Sequence, residues 1–204
     1  MTRTRESQRR MSLAQYLAFE DTSPLKHEFV AGEVYTMSGA TTRHNLITLN
    51  IVRRLWEPTR AHGCRIFATD VKLRAAADRI YYPDAIIACG AAAEVELIIE
   101  EPTVIVEVAS RSTRATDRRE KREAYQRIPS LRCYLIVEQH WREVLAYQRT
   151  ADGGWILSEH TGEGELVALP FDTQLSLNEI YDDVPMPPLG VKETEWELSD
   201  DEDE

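Results

Sequence analysis

Glu107 interrupts the apolar run TVIVEVAS, Thr103–Ser110, with aliphatic neighbours on both sides. In a strand, Ile105, Glu107 and Ala109 share one face, and Val104, Val106 and Val108 share the other. Both faces are apolar, as in a buried central strand. A carboxylate there needs hydrogen-bonded partners or a cation. Asp84 follows Pro83 and opens the apolar run AIIAC. Alone it reads as a turn residue. On a strand beside that of Glu107, the two acids would offer oxygen ligands to a hard divalent cation such as Mg²⁺. Such a cation activates water and stabilises the charge that develops on a phosphate during hydrolysis. Lys121 lies four residues after Asp117, hence on the same helix face. Its ammonium could reach back over the strand to position water or offset phosphate charge. The plainer readings are a structural salt bridge at Glu107 and a surface i,i+4 pair at Lys121. Ser110 and Thr113 read as residues that order the loop after the strand, with phosphate contact as the alternative; neither has a His/Asp partner for nucleophilic catalysis.

The elements that must position these groups can be read along the chain. Residues 1–10 form a flexible basic start. SLAQYLAF is a short helix with Ser12 as N-cap. KHEFVAGEVYTM alternates around Ala31-Gly32 and reads as a β-hairpin. In TTRHNLITLNIVRRLWEPTR, Leu46, Leu49, Val52, Leu55 and Trp56 recur at helical spacing, Thr41 or Thr42 caps the run, and Pro58 closes it. CRIFATDVKLR is one strand or two short ones, and IYYPDAIIAC is the next; GAAAEVELIIEE is ambiguous. TDRREKREAYQRI is a helix with Thr116 as N-cap, stopped by Pro129. RCYLIVE, REVLAYQR and WILSEH are strands, the last two paired across ADGG. SLNEIY carries a Ser-x-x-Glu capping box. Strand, helix and strand from TVIVEVAS to CYLIVE have the length of a βαβ unit. The fold class is therefore α/β, an α+β mixed sheet flanked by helices.

The length of 204 residues suits one domain, expected over 11–184, with an acidic disordered tail at 185–204. The formal net charge is −11. Residues 192–204 hold eight acids and one lysine, whereas Arg111–Arg132 holds eight basic residues against three acids. The tail thus masks a local basic patch, either a nucleic-acid contact or a solvated helix face. The three cysteines, Cys64, Cys89 and Cys133, are widely spaced and show no metal-ligand pattern. A reduced, cytoplasmic setting is expected. No apolar run approaches ~20 residues, and the basic N-terminus lacks an apolar core, so neither a membrane span nor a signal peptide is expected.

Pro83-Asp84, then EVxSxST at Glu107–Thr113, then DxxxK at Asp117–Lys121, then Tyr125 and CYLIVE, together resemble the Uma-type “putative restriction endonuclease” family of the PD-(D/E)XK nuclease superfamily. The similarity covers about Leu13 to Tyr181. It implies a restriction-endonuclease-like core and Mg²⁺-dependent hydrolysis of DNA phosphodiesters, with Mn²⁺ as a substitute ion. Asp84 matches the PD acid and Glu107 the second acid, so both are expected as metal ligands. The superfamily lysine would fall at Ala109, where it is absent, and Lys121 resembles its relocated counterpart. The additional acid from an N-terminal element is expected at Glu33, with Glu28 as rival. His44 resembles the histidine that opens the family's long helix, and Asp70 is a further pocket acid. Arg114, Arg118, Arg119 and Arg122 are expected to contact the DNA backbone, and a homodimer is expected for cutting two strands. The competing reading is a nuclease-fold module that binds DNA or protein without turnover.

Overall fold

A computed structural model of the chain describes residues 3–5, 10–37, 39–90, 98–110 and 113–186. In chain order the elements are β1 (Arg3–Arg5), α1 (Leu13–Glu20), β2 (His27–Val30), β3 (Glu33–Met37), α2 (Thr42–Ala61), β4 (Cys64–Ala68), β5 (Lys72–Ala76), β6 (Arg79–Tyr81), β7 (Ala85–Cys89), β8 (Ile98–Ile99) and β9 (Pro102–Ala109). Then come α3 (Arg114–Thr116), a π-helical turn at Asp117–Lys121, α4 (Arg122–Tyr125), β10 (Cys133–Glu138), β11 (Val144–Arg149), β12 (Trp155–His160), β13 (Leu166–Leu169), β14 (Thr173–Ser176) and α5 (Leu177–Ile180). The tail beyond residue 186 lies outside the described residues. So does most of the ambiguous GAAAEVELIIEE stretch, of which Ile98–Ile99 forms β8.

The central sheet has the order β12-β11-β10-β9-β7-β4. β9 and β10 run parallel, with Glu107 opposite Ile136, so the expected βαβ unit is present. The other pairs in this sheet are antiparallel. A second sheet, β1-β3-β2-β6-β5-β8, flanks it. The β2–β3 hairpin turns at Ala31 and Gly32, both at positive φ (50° and 88°), the pattern that suits the twist of a tight two-residue hairpin. Arg3–Arg5, expected within a flexible start, pairs with Tyr35–Met37 and covers an otherwise open strand edge.

Apolar residues on the two faces of β9 build two cores. Val104, Val106 and Val108 pack with Ile47, Ile51 and Leu55 of α2. Ile105 and Ala109 pack with Tyr125, Tyr134 and Ile136. The core stripe of α2 differs from the sequence reading. Leu49 and Trp56 are 57% and 46% exposed, and Ile47, Ile51 and Leu55, four residues apart, face the sheet instead. The helix also continues past Pro58 to Ala61. Proline sits in the last turn, where its missing N–H costs a single bond, and burial of Thr59 keeps that turn in place.

Cys64 and Cys89 also depart from expectation. Though 25 residues apart, they are register partners on β4 and β7, which brings their sulfurs together as a disulfide. Cys133 is free and buried. No helix among the described residues is long and apolar enough to cross a membrane.

Ile51 is fully buried between α2 and the central sheet. Ile51→Ala should cost about 2–5 kcal/mol through lost transfer energy and the cavity left behind. Urea denaturation should show a lower midpoint at unchanged slope; a loss below about 1 kcal/mol would contradict this packing.

Candidate active site

The antiparallel pairing of β7 and β9 puts Ala85 opposite Val106. One step further, Asp84 comes opposite Glu107, so the two side chains share a face of the sheet. Both are buried. Each Asp84 oxygen has a partner. Oδ2 accepts the Val108 amide at 2.7 Å, and Oδ1 lies 3.2 Å from His44 Nε2. His44 is itself fixed by the start of α2, where the Thr41 side chain accepts its backbone N–H. Thr41 in turn bonds Gln139, which reaches the Ala109 carbonyl, so the helix N-terminus is tied to the ends of β9 and β10.

Glu107 Oε1 accepts two hydrogen bonds, from Tyr125 at 2.7 Å and from Lys121 Nζ at 3.0 Å. Among the described residues, no protein donor is seen at Oε2. The Lys121 ammonium also lies 3.0 Å from Glu28 Oε1 and 3.4 Å from Asp117 Oδ1. Glu28, His44, Asp84, Glu107, Asp117 and Lys121 together line one cleft. The π-helical turn that carries Asp117 and Lys121 turns both side chains inward. Such turns often mark functional positions in helices. The Tyr134 hydroxyl donates to the Asp117 carbonyl at 3.1 Å and anchors the turn to β10.

Electrostatics follow from too many acids in a dry place. Burial, and then the Asp117, Asp84 and Glu28 carboxylates, push Glu107 well above the ordinary carboxylate range against the pull of Lys121. Burial also raises Asp117. For Lys121, burial alone would disfavour the charge, but Glu107, Glu28 and Asp117 together outweigh it and hold the ammonium well above its usual pKa.

Among the described residues, no group of three or more His, Cys, Asp or Glu side chains stands ready as a metal cage. The cation that the carboxylates now hold is the Lys121 ammonium. Asp84 and Glu107 nevertheless fit a hard divalent ion. Both are oxygen donors, they face each other across paired strands, and Glu107 Oε2 lacks a protein donor among the described residues. Mg²⁺ is commonly held by one or two carboxylates, with water and substrate phosphate completing its coordination.

The other expected site residues fall as follows. Glu28, the rival, lines the cleft, whereas Glu33 does not and accepts a bond from the Tyr35 hydroxyl. Glu33 pairs with Val30 beside the hairpin turn. That places it two residues along β2 from Glu28, about 7 Å away. Asp70 is exposed in the bend after β4 and lies outside the cleft. Ser110 and Thr113 bond each other reciprocally and order the loop after β9. Arg114 and Arg118 bond the fully buried Glu138 at 2.8 and 3.2 Å, and Arg118 also pairs with Glu143. These guanidiniums fasten the helix to the end of β10. The Arg114 guanidinium also lies over Trp141 at 4.2 Å, and Arg122 lies over Tyr147 at 5.8 Å. Arg119 is exposed.

A model of the family described as “Uma2: Putative restriction endonuclease” matches residues 13–178. An uncharacterized protein, sll1609, from Synechocystis sp. (strain ATCC 27184 / PCC 6803 / Kazusa) is 31% identical over 165 residues, covering 79% of this chain and 93% of that protein. A second from the same organism, slr1290, is 27% identical over 174 residues, covering 84% and 92%. A crystal structure described as a “putative nuclease belonging to DUF820” from Anabaena variabilis ATCC 29413 has a similar fold. Its TM-score is 0.69 at 14% identity, covering 84% of this chain and 97% of that one.

Removing the ammonium should expose what it compensates. Lys121→Met leaves Glu28, Glu107 and Asp117 buried without their shared cation and should cost about 3–5 kcal/mol near pH 8. Glu107 and Asp117 have raised values in the folded protein, so the folded state binds protons more tightly than the unfolded one. The penalty should therefore shrink as the pH falls toward the ordinary carboxylate range. Urea titrations at pH 8 and pH 5 measure this; an equal penalty at both would contradict the charge account.

Proposed function

The chain belongs to the Uma2 family of “putative restriction endonucleases”, and on that premise we propose that it is a divalent-cation-dependent nuclease that hydrolyses DNA phosphodiester bonds. The observation that carries this reading is the pair Asp84 and Glu107, buried and opposed across β7 and β9 in a cleft that also holds Lys121. In this reading Asp84 and Glu107 hold Mg²⁺, or Mn²⁺ in its place. When bound, the ion would supply Lewis-acid stabilisation of phosphate charge and lower the pKa of a water molecule.

The remaining roles belong to the chain's own groups. His44 and the Val108 amide fix the two oxygens of Asp84. Tyr125 fixes Glu107 Oε1. Such support holds ligands in their productive rotamers. The Lys121 ammonium offers positive charge to the phosphate or a donor to the attacking water. Arg119 is available for backbone contacts, which position DNA without reading its sequence. Cutting both strands of a duplex calls for two such sites, so the reading includes a homodimer.

A second reading, a nuclease-fold module without turnover, is favoured by the Lys121 ammonium standing where the carboxylates meet. Plasmid nicking in Mg²⁺ separates the two. The nuclease reading expects cleavage by the wild type, none in excess EDTA, and losses above about 100-fold in Asp84→Asn and Glu107→Ala. Cleavage retained by pure Glu107→Ala would overturn it. Neither nicking nor cation binding by folded wild type at millimolar Mg²⁺ would favour the silent module.

A further inference from the structure

On the nuclease reading, a DNA strand must approach a cleft lined, among the described residues, by four carboxylates and the single ammonium of Lys121. Arg114 and Arg118 are committed to Glu138. A polyanion meets repulsion there unless cations stand at the rim. Two lysines are gathered on one ring at that rim. Lys26 Nζ lies 5.7 Å and Lys72 Nζ 6.0 Å from the ring centroid of Tyr82, which lines the cleft just ahead of Pro83-Asp84. The strands that flank Tyr82 deliver them. Leu73 of β5 pairs with Tyr81, so Lys72 comes opposite Tyr82. Lys26 directly precedes β2, and its carbonyl accepts the N–H of Met37, another cleft residue, at 2.9 Å. The ring is itself fixed, being 3% exposed, with its hydroxyl donating to Glu20 at 2.7 Å. Neither lysine is spent on a strong ion pair. Lys72 lies 3.9 Å from an Asp21 carboxylate that is 70% exposed, a weak contact. Among the described residues no carboxylate pairs with Lys26. An ammonium over an aromatic face is attracted to it and keeps its charge. The two cations are thus placed in advance for an anion.

We propose that Lys26 and Lys72 form a phosphate-binding rim, which seats the DNA backbone beside the phosphate to be cut. The proposal rests on the nuclease reading and deepens it, because it names a substrate contact outside the acidic site. Ammonium groups bind phosphate as point charges and position the strand without reading its bases. The rim belongs to the second sheet, where β2, β6 and β5 are neighbours. It therefore approaches the cleft from a different element than the π-helical turn that carries Arg119 and Lys121. Tyr82 keeps the two lysines together next to the strand that bears Asp84.

Fluorescence anisotropy of a labelled DNA duplex, titrated with the full chain in EDTA at several NaCl concentrations, tests this. Each phosphate neutralised contributes about 0.9 to the slope of log affinity against log salt. Lys26→Met and Lys72→Met should each weaken binding severalfold and lower that slope by about 0.9, equally on duplexes of unrelated sequence. Lys72→Arg keeps the charge and should keep the wild-type slope. Arg60→Met removes an equal charge at the far end of α2, about 24 Å along the helix from His44, and should change neither quantity. Unchanged affinity and slope in folded Lys26→Met/Lys72→Met overturn the proposal, as does an equal loss in Arg60→Met. Absence of DNA binding by the wild type at low salt overturns it too. Plasmid nicking decides the nuclease reading separately: a wild type that nicks DNA while these results fail loses the lysine rim alone.

Discussion

The structure turns on a buried charge imbalance. Four carboxylates, Glu28, Asp84, Glu107 and Asp117, face one cleft with a single lysine among them. Burying ionised groups is costly unless each is paired and hydrogen-bonded. Much of the surrounding architecture supplies that pairing. The π-helical turn brings in Lys121, α4 brings the Tyr125 hydroxyl, the start of α2 brings His44, and β9 offers its own Val108 amide. A packed apolar sheet on both faces of β9 keeps these groups from relaxing away.

The same constraint links fold to function. On the proposed nuclease reading, the site has to hold carboxylates ready for a cation where burial makes their charge costly. Here the resting protein tolerates it by lending its own ammonium. The arginines of the following helix take a different part from a general basic surface. Arg114 and Arg118 close on Glu138, so they hold the helix against β10 and keep Lys121 over the acids.

Glu107 stood out in the sequence because a carboxylate within an aliphatic strand is costly, whereas Asp84 alone read as a turn residue and gained weight only from its pairing with Glu107 and the PD pattern. Lys121 drew attention only through its company with Glu107 and Asp84 and the DxxxK pattern at Asp117–Lys121. The rest depended on geometry that spacing alone does not carry. Choosing Glu28 over Glu33 requires the hairpin register, since the two residues sit on its paired strands. The burial of Asp117 depends on a π-helical turn, whereas ordinary helical spacing makes the Asp117–Lys121 pair look like a surface contact. Pairing of Arg114 and Arg118 with Glu138 spans 24 and 20 residues and exists only once the helix docks on the sheet. Cys64 and Cys89 meet through strand register, which a count of cysteines does not reveal.

The most direct measurement is a crystal structure of the protein soaked in Mn²⁺, read by anomalous scattering. The nuclease reading predicts a peak between the carboxylates of Asp84 and Glu107. A fully soaked crystal with no peak at these residues would contradict it.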